Sequence, residues 1–244
     1  MKIERLAIAA LSAAMLSPAV AAEELSQRVL VFGDSNTWGA IPSATTPGHR
    51  YPAESTWPYI LDTLLPADVD VIAEGLGGRT TDFDSDPGGV YRYSGAEMLP
   101  SVLASHRPID VLVIMLGTND LFAAHDRSIE DIALGVEHLV TLAQETRPPG
   151  TNEPAPRILV VAPPAIDETI EGTPFASYFE GGVEKSQGFP EAYAEVAERL
   201  GVGFFDAGSV VATDTEDGIH FDLDDHAALA AAIAAPVKDL LDAE

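Results

Sequence analysis

Cysteine is absent from the 244 residues of the chain. Its absence excludes disulfide bonds, thiolate nucleophiles, zinc sites built from cysteine and a lipid anchor on an N-terminal cysteine. A hydrophobic fraction of 46% is enough for a sizeable core. We therefore expect noncovalent packing to hold the fold, in an oxidising or a reducing compartment alike.

Basic residues are scarce. The chain has 13 lysines and arginines against 39 aspartates and glutamates, which gives a formal net charge of −26 at pH 7. A surface this negative repels phosphate backbones. We therefore expect a strongly solvated surface and no nucleic-acid partner.

Apolar runs long enough to span a bilayer are also missing. The run at residues 6–16 is too short, but it follows Lys2 and Arg5 and precedes small residues at 19–22, an order typical of a secretory signal peptide. We predict a signal peptide at residues 1–22, a single domain at 23–244, no membrane span, and a periplasmic or secreted location. The alternative is a short N-terminal helix of a cytoplasmic protein.

Short apolar runs alternate with helical patterns along the rest of the chain. The runs are rich in Val, Ile and Leu on both faces, as buried parallel strands are. Strands are predicted at 28–32, 68–75, 109–117, 157–164 and 202–208, and helices at 56–65, 129–146, 190–200 and 224–241, the last with a kink or break at Pro236. Irregular segments at 41–55, 82–94 and 165–188 follow strand ends, where open parallel sheets bind ligands.

Ser35 lies in "RVLVFGDSNTWGA", where the first strand turns into a helix. Its N–H should be free to donate at the helix start. A serine hydroxyl needs a base, and the base needs an orienting group, before it becomes a nucleophile. Taken alone, Ser35 is equally well explained as a helix-capping serine, and Asp34 as a residue that braces the turn.

A base for Ser35 is found in "DGIHF" near the other end of the chain, where Asp217 precedes His220 by three residues. In a tight turn, the carboxylate reaches the imidazole and holds its tautomer, which is the logic of a Ser-His-Asp triad. Two further segments follow strand ends: "GLGGRTT" offers the N–H of Gly78, and "GTND" offers the side-chain amide of Asn119. With the N–H of Ser35, these donors could form an oxyanion hole.

Aromatic residues near these segments are candidates for a substrate pocket. We expect Trp38, beside the serine turn, and Phe175 and Phe179, in an irregular segment, to bind substrate. Trp57 lies on one face of a predicted helix and is expected in the core.

The remaining histidines and acids predict little chemistry. His226 is expected at the surface or at a helix end, and His125 could border the pocket. The acidic run at 222–225 suits a helix start better than a calcium loop, because it lacks the central glycine and distal glutamate. We predict no metal site and no cofactor.

The four segments occur in the order found in the SGNH (GDSL) hydrolase superfamily, which the chain resembles over nearly its whole mature length. "GDSNTWG", "EGLGGRTT", "IMLGTND", "VVAPP", "YFEGGVEKS" and "FFDAGSVVATDTEDGIHF" are similar to the arylesterase and acyltransferase (perhydrolase) branch. The resemblance implies a three-layer α/β/α sandwich around a five-stranded, mainly parallel, flavodoxin-like sheet. It further implies Ser35 as nucleophile, Asp217 and His220 as triad partners, and Ser35, Gly78 and Asn119 as oxyanion donors.

The function implied is hydrolysis of short-chain or aryl esters through an acyl-enzyme, with acyl transfer to alcohols or peroxide in some members. Thioesterase, lysophospholipase and carbohydrate deacetylase activities are alternatives within the superfamily, and a non-catalytic binding protein is an alternative outside it. Relatives also form homo-oligomers that narrow the pocket mouth. Two positions depart from the pattern: Asn36 replaces the usual leucine, and Ala40 stands where relatives often carry a bulky aromatic, which could widen the acyl pocket.

Overall fold

The computed structural model describes residues 27–43, 48–147 and 152–243. Within these ranges the chain forms one five-stranded sheet whose neighbouring strands are all parallel, in the order β2-β1-β3-β4-β5. This order confirms the flavodoxin-like sheet. The strands are β1 (Gln27–Gly33), β2 (Val69–Gly75), β3 (Val111–Met115), β4 (Arg157–Ala162) and β5 (Gly203–Asp206).

Helices cover both faces of the sheet and give the three layers. They are α1 (Ser35–Trp38), α2 (Trp57–Leu64), α3 (Gly95–His106), α4 (Ile129–Glu145), α5 (Gly182–Ser186), α6 (Phe189–Leu200) and α7 (Leu223–Asp242), with short 3₁₀ turns between them. Successive β1 side chains point to opposite faces. Val29 and Val31 pack with α2 and α7, whereas Leu30 and Phe32 pack with α3, α4 and α6.

The short helix α5 lies within the segment predicted as irregular, and two of the longer helices also depart from the sequence prediction. The first is α3, which has no predicted counterpart because Pro100 and several small residues obscure its periodicity. Its start does carry a signal, since the Ser94 hydroxyl accepts a hydrogen bond from the Glu97 N–H. The second is α7, which continues through Pro236, so that of the expected kink or break the break is absent.

The acidic run at the start of α7 caps the helix. The Asp222 carboxylate accepts hydrogen bonds from the N–H groups of Asp224 and Asp225, and Asp225 bonds back to the Asp222 N–H. Carboxylates at a helix N-terminus satisfy its free N–H groups and favour its dipole. The interpretation of this run as a helix start is confirmed.

His226 was expected at the surface or at a helix end, and the surface part of that prediction is wrong. It lies in the first turn of α7 but is fully buried. Its Nδ1 accepts a hydrogen bond of 3.2 Å from the N–H of Trp57, and its ring makes edge contacts with Tyr51 and Phe221. Trp57 itself lies in the core as expected. Burial lowers the pKa of His226 to about 4.

No helix among the described residues is long and apolar enough to cross a membrane. The predicted signal peptide at residues 1–22 lies outside the described residues and stays a prediction.

Neutral, buried His226 makes stability depend on pH. The pKa of His226 is about 6.5 in the unfolded chain, so between pH 6.5 and 4 the unfolded chain binds more protons than the folded protein. The stability contributed by the neutral, buried His226 is therefore lost as pH falls through that window. We expect the free energy of unfolding of the parent, measured relative to His226→Gln by urea denaturation, to fall by roughly 3 kcal/mol from pH 7 to pH 4. The other titratable groups are the same in both proteins, so their contributions cancel in the difference between the two free energies of unfolding. A difference that does not change with pH would contradict the assignment.

Candidate active site

The segments singled out in the sequence meet at the carboxyl edge of the sheet. Ser35 follows β1, Gly78 follows β2, Asn119 follows β3, and the segment with Asp217 and His220 lies between β5 and α7. All five line one pocket with a volume of about 220 Å³. Strand order places β2, β1 and β3 side by side, which brings the first three segments together.

Ser35, His220 and Asp217 form a continuous hydrogen-bonded chain. The Ser35 Oγ lies 3.0 Å from the His220 Nε2, and the His220 Nδ1 lies 2.7 Å from the Asp217 Oδ2. A carboxylate only accepts hydrogen bonds, so Nδ1 carries the proton and Nε2 is free to accept one from the serine hydroxyl. This is the arrangement that activates a serine for attack.

Asp217 is held in place by backbone donors. Its Oδ1 accepts from the N–H groups of Ile219 and His220 at 3.0 and 2.9 Å, and its Oδ2 accepts from the Ser43 N–H at 2.9 Å. Burial alone would raise the pKa of Asp217, but hydrogen bonds from His220 and the Ser43 N–H, together with the positive charge that His220 carries when protonated, hold it well below its usual range. The carboxylate therefore stays ionised beside the imidazole.

Gly78 and Asn119 line the same pocket as Ser35. Gly78 has a left-handed backbone, with φ 83°, which suits a glycine. The Asn119 amide donates to the Arg79 carbonyl at 3.0 Å and makes a longer contact of 3.4 Å with the Asp34 carboxylate. Its orientation is therefore fixed.

Asp34 braces the serine turn, as its position suggested. It caps α1 by accepting a hydrogen bond of 3.0 Å from the Asn36 N–H. Burial raises the pKa of Asp34 to about 6, against the lowering influence of the Asn36 N–H, of His220 when it is protonated, and of the Arg79 charge.

Two buried groups behind the pocket were missed in the sequence. The Asp120 carboxylate accepts from the Thr81 hydroxyl at 2.7 Å and from Arg127 at 2.6 Å, and burial raises its pKa to about 6. The Arg79 guanidinium donates to the carbonyls of Gly33 and Glu74, which joins the ends of β1 and β2. The sequence indicates these groups only by a charged residue inside "GGRTT" and inside "GTND", two segments that directly follow predicted strands.

The predicted aromatic residues line the pocket: Trp38, Phe175 and Phe179 all face it. Phe122, which the sequence analysis missed, joins them and packs against Phe179 with ring centroids 4.7 Å apart. His125 lies behind this wall, 5.3 Å from the Phe122 ring centroid, and does not itself line the pocket. Among the described residues, no cluster of three or more His, Asp or Glu side chains could hold a metal ion.

Residues 31–229 match the GDSL-like lipase/acylhydrolase family. The chain belongs to this family. An aryl esterase from M. smegmatis is 44% identical, with a TM-score of 0.84, and the alignment covers 88% of this chain and 100% of the esterase. Est24, a carbohydrate acetylesterase from Sinorhizobium meliloti, is 41% identical, with a TM-score of 0.83 and coverage of 88% and 99%. A comparison with curated proteins finds no match.

Family membership and these neighbours identify the chain as a carboxylic ester hydrolase. A member of the lipolytic G-D-S-L family from Veillonella parvula is 17% identical, with a TM-score of 0.59 and coverage of 86% and 97%, and shares the fold.

Gly218 shapes the loop between Asp217 and His220. Its φ is 74°, and a Cβ there would lie 2.7 Å from the backbone nitrogen of Ile170. We expect Gly218→Ala to displace this loop, to lower the rate of ester hydrolysis, and to cost more than the roughly 1–2 kcal/mol of a left-handed alanine. Thermal unfolding and hydrolysis rates measure both effects.

Gly201→Ala is the matched control. Gly201 has a similar φ of 66° at the end of α6, but a Cβ there meets nothing within 4 Å. This variant should show the conformational cost alone, with unchanged hydrolysis. Equal stability loss in the two variants, with hydrolysis unaffected in both, would show that the contact with Ile170 does not position the loop.

Proposed function

We propose that the chain is a serine esterase that cleaves short-chain or aryl carboxylic esters through an acyl-enzyme on Ser35. The observation that carries the proposal is the 3.0 Å contact between the Ser35 Oγ and the His220 Nε2, backed by Asp217 and open to a pocket. A binding protein would have no need of this chain of hydrogen bonds.

Acylation begins with attack by the Ser35 Oγ on the ester carbonyl carbon. His220 Nε2 takes the hydroxyl proton, and Asp217 stabilises the imidazolium that forms. When the tetrahedral intermediate collapses, the carbon–oxygen bond to the alcohol breaks and the imidazolium returns the proton to the leaving oxygen. The acyl group then remains on Ser35.

Three donors serve the negative oxygen of this intermediate: the N–H groups of Ser35 and Gly78 and the Asn119 amide. The Arg79 carbonyl holds one amide hydrogen of Asn119 at 3.0 Å, while the contact with Asp34 is long at 3.4 Å. The oxyanion would take the second hydrogen in place of this long contact with Asp34. Donors that are already in position before the reaction need not reorganise when negative charge develops on the carbonyl oxygen, so they stabilise the transition state.

Deacylation repeats the chemistry with another nucleophile. His220 takes a proton from water, the resulting hydroxide oxygen attacks the acyl carbon, and Ser35 leaves with that proton. An alcohol or hydrogen peroxide in place of water would yield a new ester or a peracid, and we include this acyl transfer in the proposal.

The substrate class follows from the pocket and from the relatives. The pocket has a volume of about 220 Å³ and walls of Trp38, Phe122, Phe175 and Phe179, and none of its lining residues in the described part of the chain is Lys or Arg, which suits a small, uncharged ester. The aryl esterase from M. smegmatis supports aryl esters. The acetylesterase from Sinorhizobium meliloti favours a second candidate, acetylated carbohydrates.

A substrate panel tests the proposal. We expect an aryl acetate to have a higher kcat/KM than a long-chain aryl ester, acetylated xylan or an acyl-CoA, with water and ethanol offered together as acceptors. Ser35→Ala should lose at least about a thousandfold in kcat on every active substrate. A preference for acetylated xylan would favour the second candidate, and activity retained by Ser35→Ala would overturn the serine mechanism.

The oxyanion role of Asn119 has a separate test. Asn119→Ala removes the amide but leaves Ser35 and His220 in place. We expect kcat for the aryl acetate to fall by about 10²–10³-fold with little change in KM, because the lost bond forms mainly in the transition state. A rise in KM with kcat unchanged would instead assign Asn119 to ground-state binding.

A further inference from the structure

Asn36 follows Ser35 in α1 and is buried. Its side chain reaches the backbone on both sides of His220. The Asn36 Nδ2 donates to the Ile219 carbonyl at 3.1 Å, and the Asn36 Oδ1 accepts from the Phe221 N–H at 3.1 Å. One short side chain therefore spans the two peptide groups that flank His220.

The orientation of this amide is forced by its partners. A backbone carbonyl only accepts and a backbone N–H only donates, so the amide oxygen has to face Phe221 and the amide nitrogen has to face Ile219. The paired bonds resemble the pairing of two adjacent strands. Both backbone groups are removed from water, where an unpaired donor or acceptor is costly.

The other hydrogen bonds of the loop do not reach α1. The Thr215 hydroxyl donates to the His220 carbonyl within the loop, the Gly218 carbonyl accepts from the Asp167 N–H, and the Asp217 carboxylate accepts from the Ser43 N–H. Apart from the contact between Ser35 and His220 themselves, the hydrogen bonds described between α1 and this loop are the two made by Asn36. These two bonds join the element that carries the hydroxyl to the one that carries the imidazole.

We propose that Asn36 is a positioning residue that sets the distance between Ser35 and His220. The proposal rests on the esterase mechanism assigned to Ser35. Nε2 lies at the far end of the His220 side chain, so a small movement of the backbone at 219–221 changes its distance from Oγ. Proton transfer needs that distance close to 3 Å, and errors approaching 1 Å cost about a hundredfold in rate.

The usual leucine at this position offers the test. Asn36→Leu keeps the number and branching of the side-chain heavy atoms, with a larger volume, and removes both hydrogen bonds, whereas Asn36→Ala removes them without adding bulk. We expect kcat for an aryl acetate, per folded molecule, to fall by about 10- to 100-fold in both variants, with KM changed less than about twofold. Circular dichroism and thermal unfolding give the folded fraction.

Asp110→Ala serves as the control for stability. The Asp110 carboxylate accepts a hydrogen bond of 2.7 Å from the Arg28 N–H at the opposite edge of the sheet, so this variant loses stability without touching the pocket. Its kcat per folded molecule should equal that of the parent. If the Asn36 variants also keep the kcat of the parent, within about twofold, Asn36 only stabilises the fold and the proposal is wrong.

Failure of the esterase proposal would look different. In that case the parent itself would show no hydrolysis that Ser35→Ala removes. A parent with hydrolysis dependent on Ser35, together with Asn36 variants of undiminished kcat, would reject the positioning role alone.

Discussion

Convergence of parallel strand ends is the constraint on which the site depends. Ser35 and His220 are separated by 185 positions in the chain, yet their side chains meet at 3.0 Å. A parallel sheet makes this meeting possible because each strand delivers its following loop to the same edge. The buried strands β1 and β3, which pack against helices on both faces, hold that edge rigid.

Charge buried beneath this edge is a second constraint. Asp34, Asp120 and Arg79 are almost fully withdrawn from water. Burial raises the pKa of each carboxyl to about 6 and lowers the pKa of the guanidinium to about 10. Removing these charged groups from water costs free energy, and hydrogen bonds and opposite charges compensate part of that cost. In return the groups fix the serine turn and the Asn119 amide without making contact with bulk solvent.

The sequence predicts the parts of the fold that depend on local pattern. Continuous apolar runs identify β1 and β3 because both faces of these strands are covered, and the motifs place Ser35 and Asn119 after them. Helix α3 is not predicted from the sequence because Pro100 and small side chains break the periodicity of its apolar residues. His226 shows another limit: its burial depends on Trp57 and Tyr51, and no local pattern reveals such distant partners.

The role of a residue that acts through contacts with distant parts of the backbone also cannot be predicted from the sequence. In the sequence, Asn36 is a departure from the usual leucine, whereas in the fold its amide joins two peptide groups more than 180 positions away. Phe122 is similar, since it reaches the pocket only because a turn after β3 directs it against Phe179. The motifs identify candidate residues, whereas the contacts between these residues depend on the fold.

The most direct measurement of the central claim is covalent capture of the nucleophile. A fluorophosphonate carrying a small alkyl group, followed by peptide mass spectrometry, should label Ser35 at a single site. Labelling should slow by several orders of magnitude in His220→Ala, because the hydroxyl then lacks its base. Labelling elsewhere, or Ser35 labelling at an unchanged rate without His220, would contradict a serine activated by this histidine.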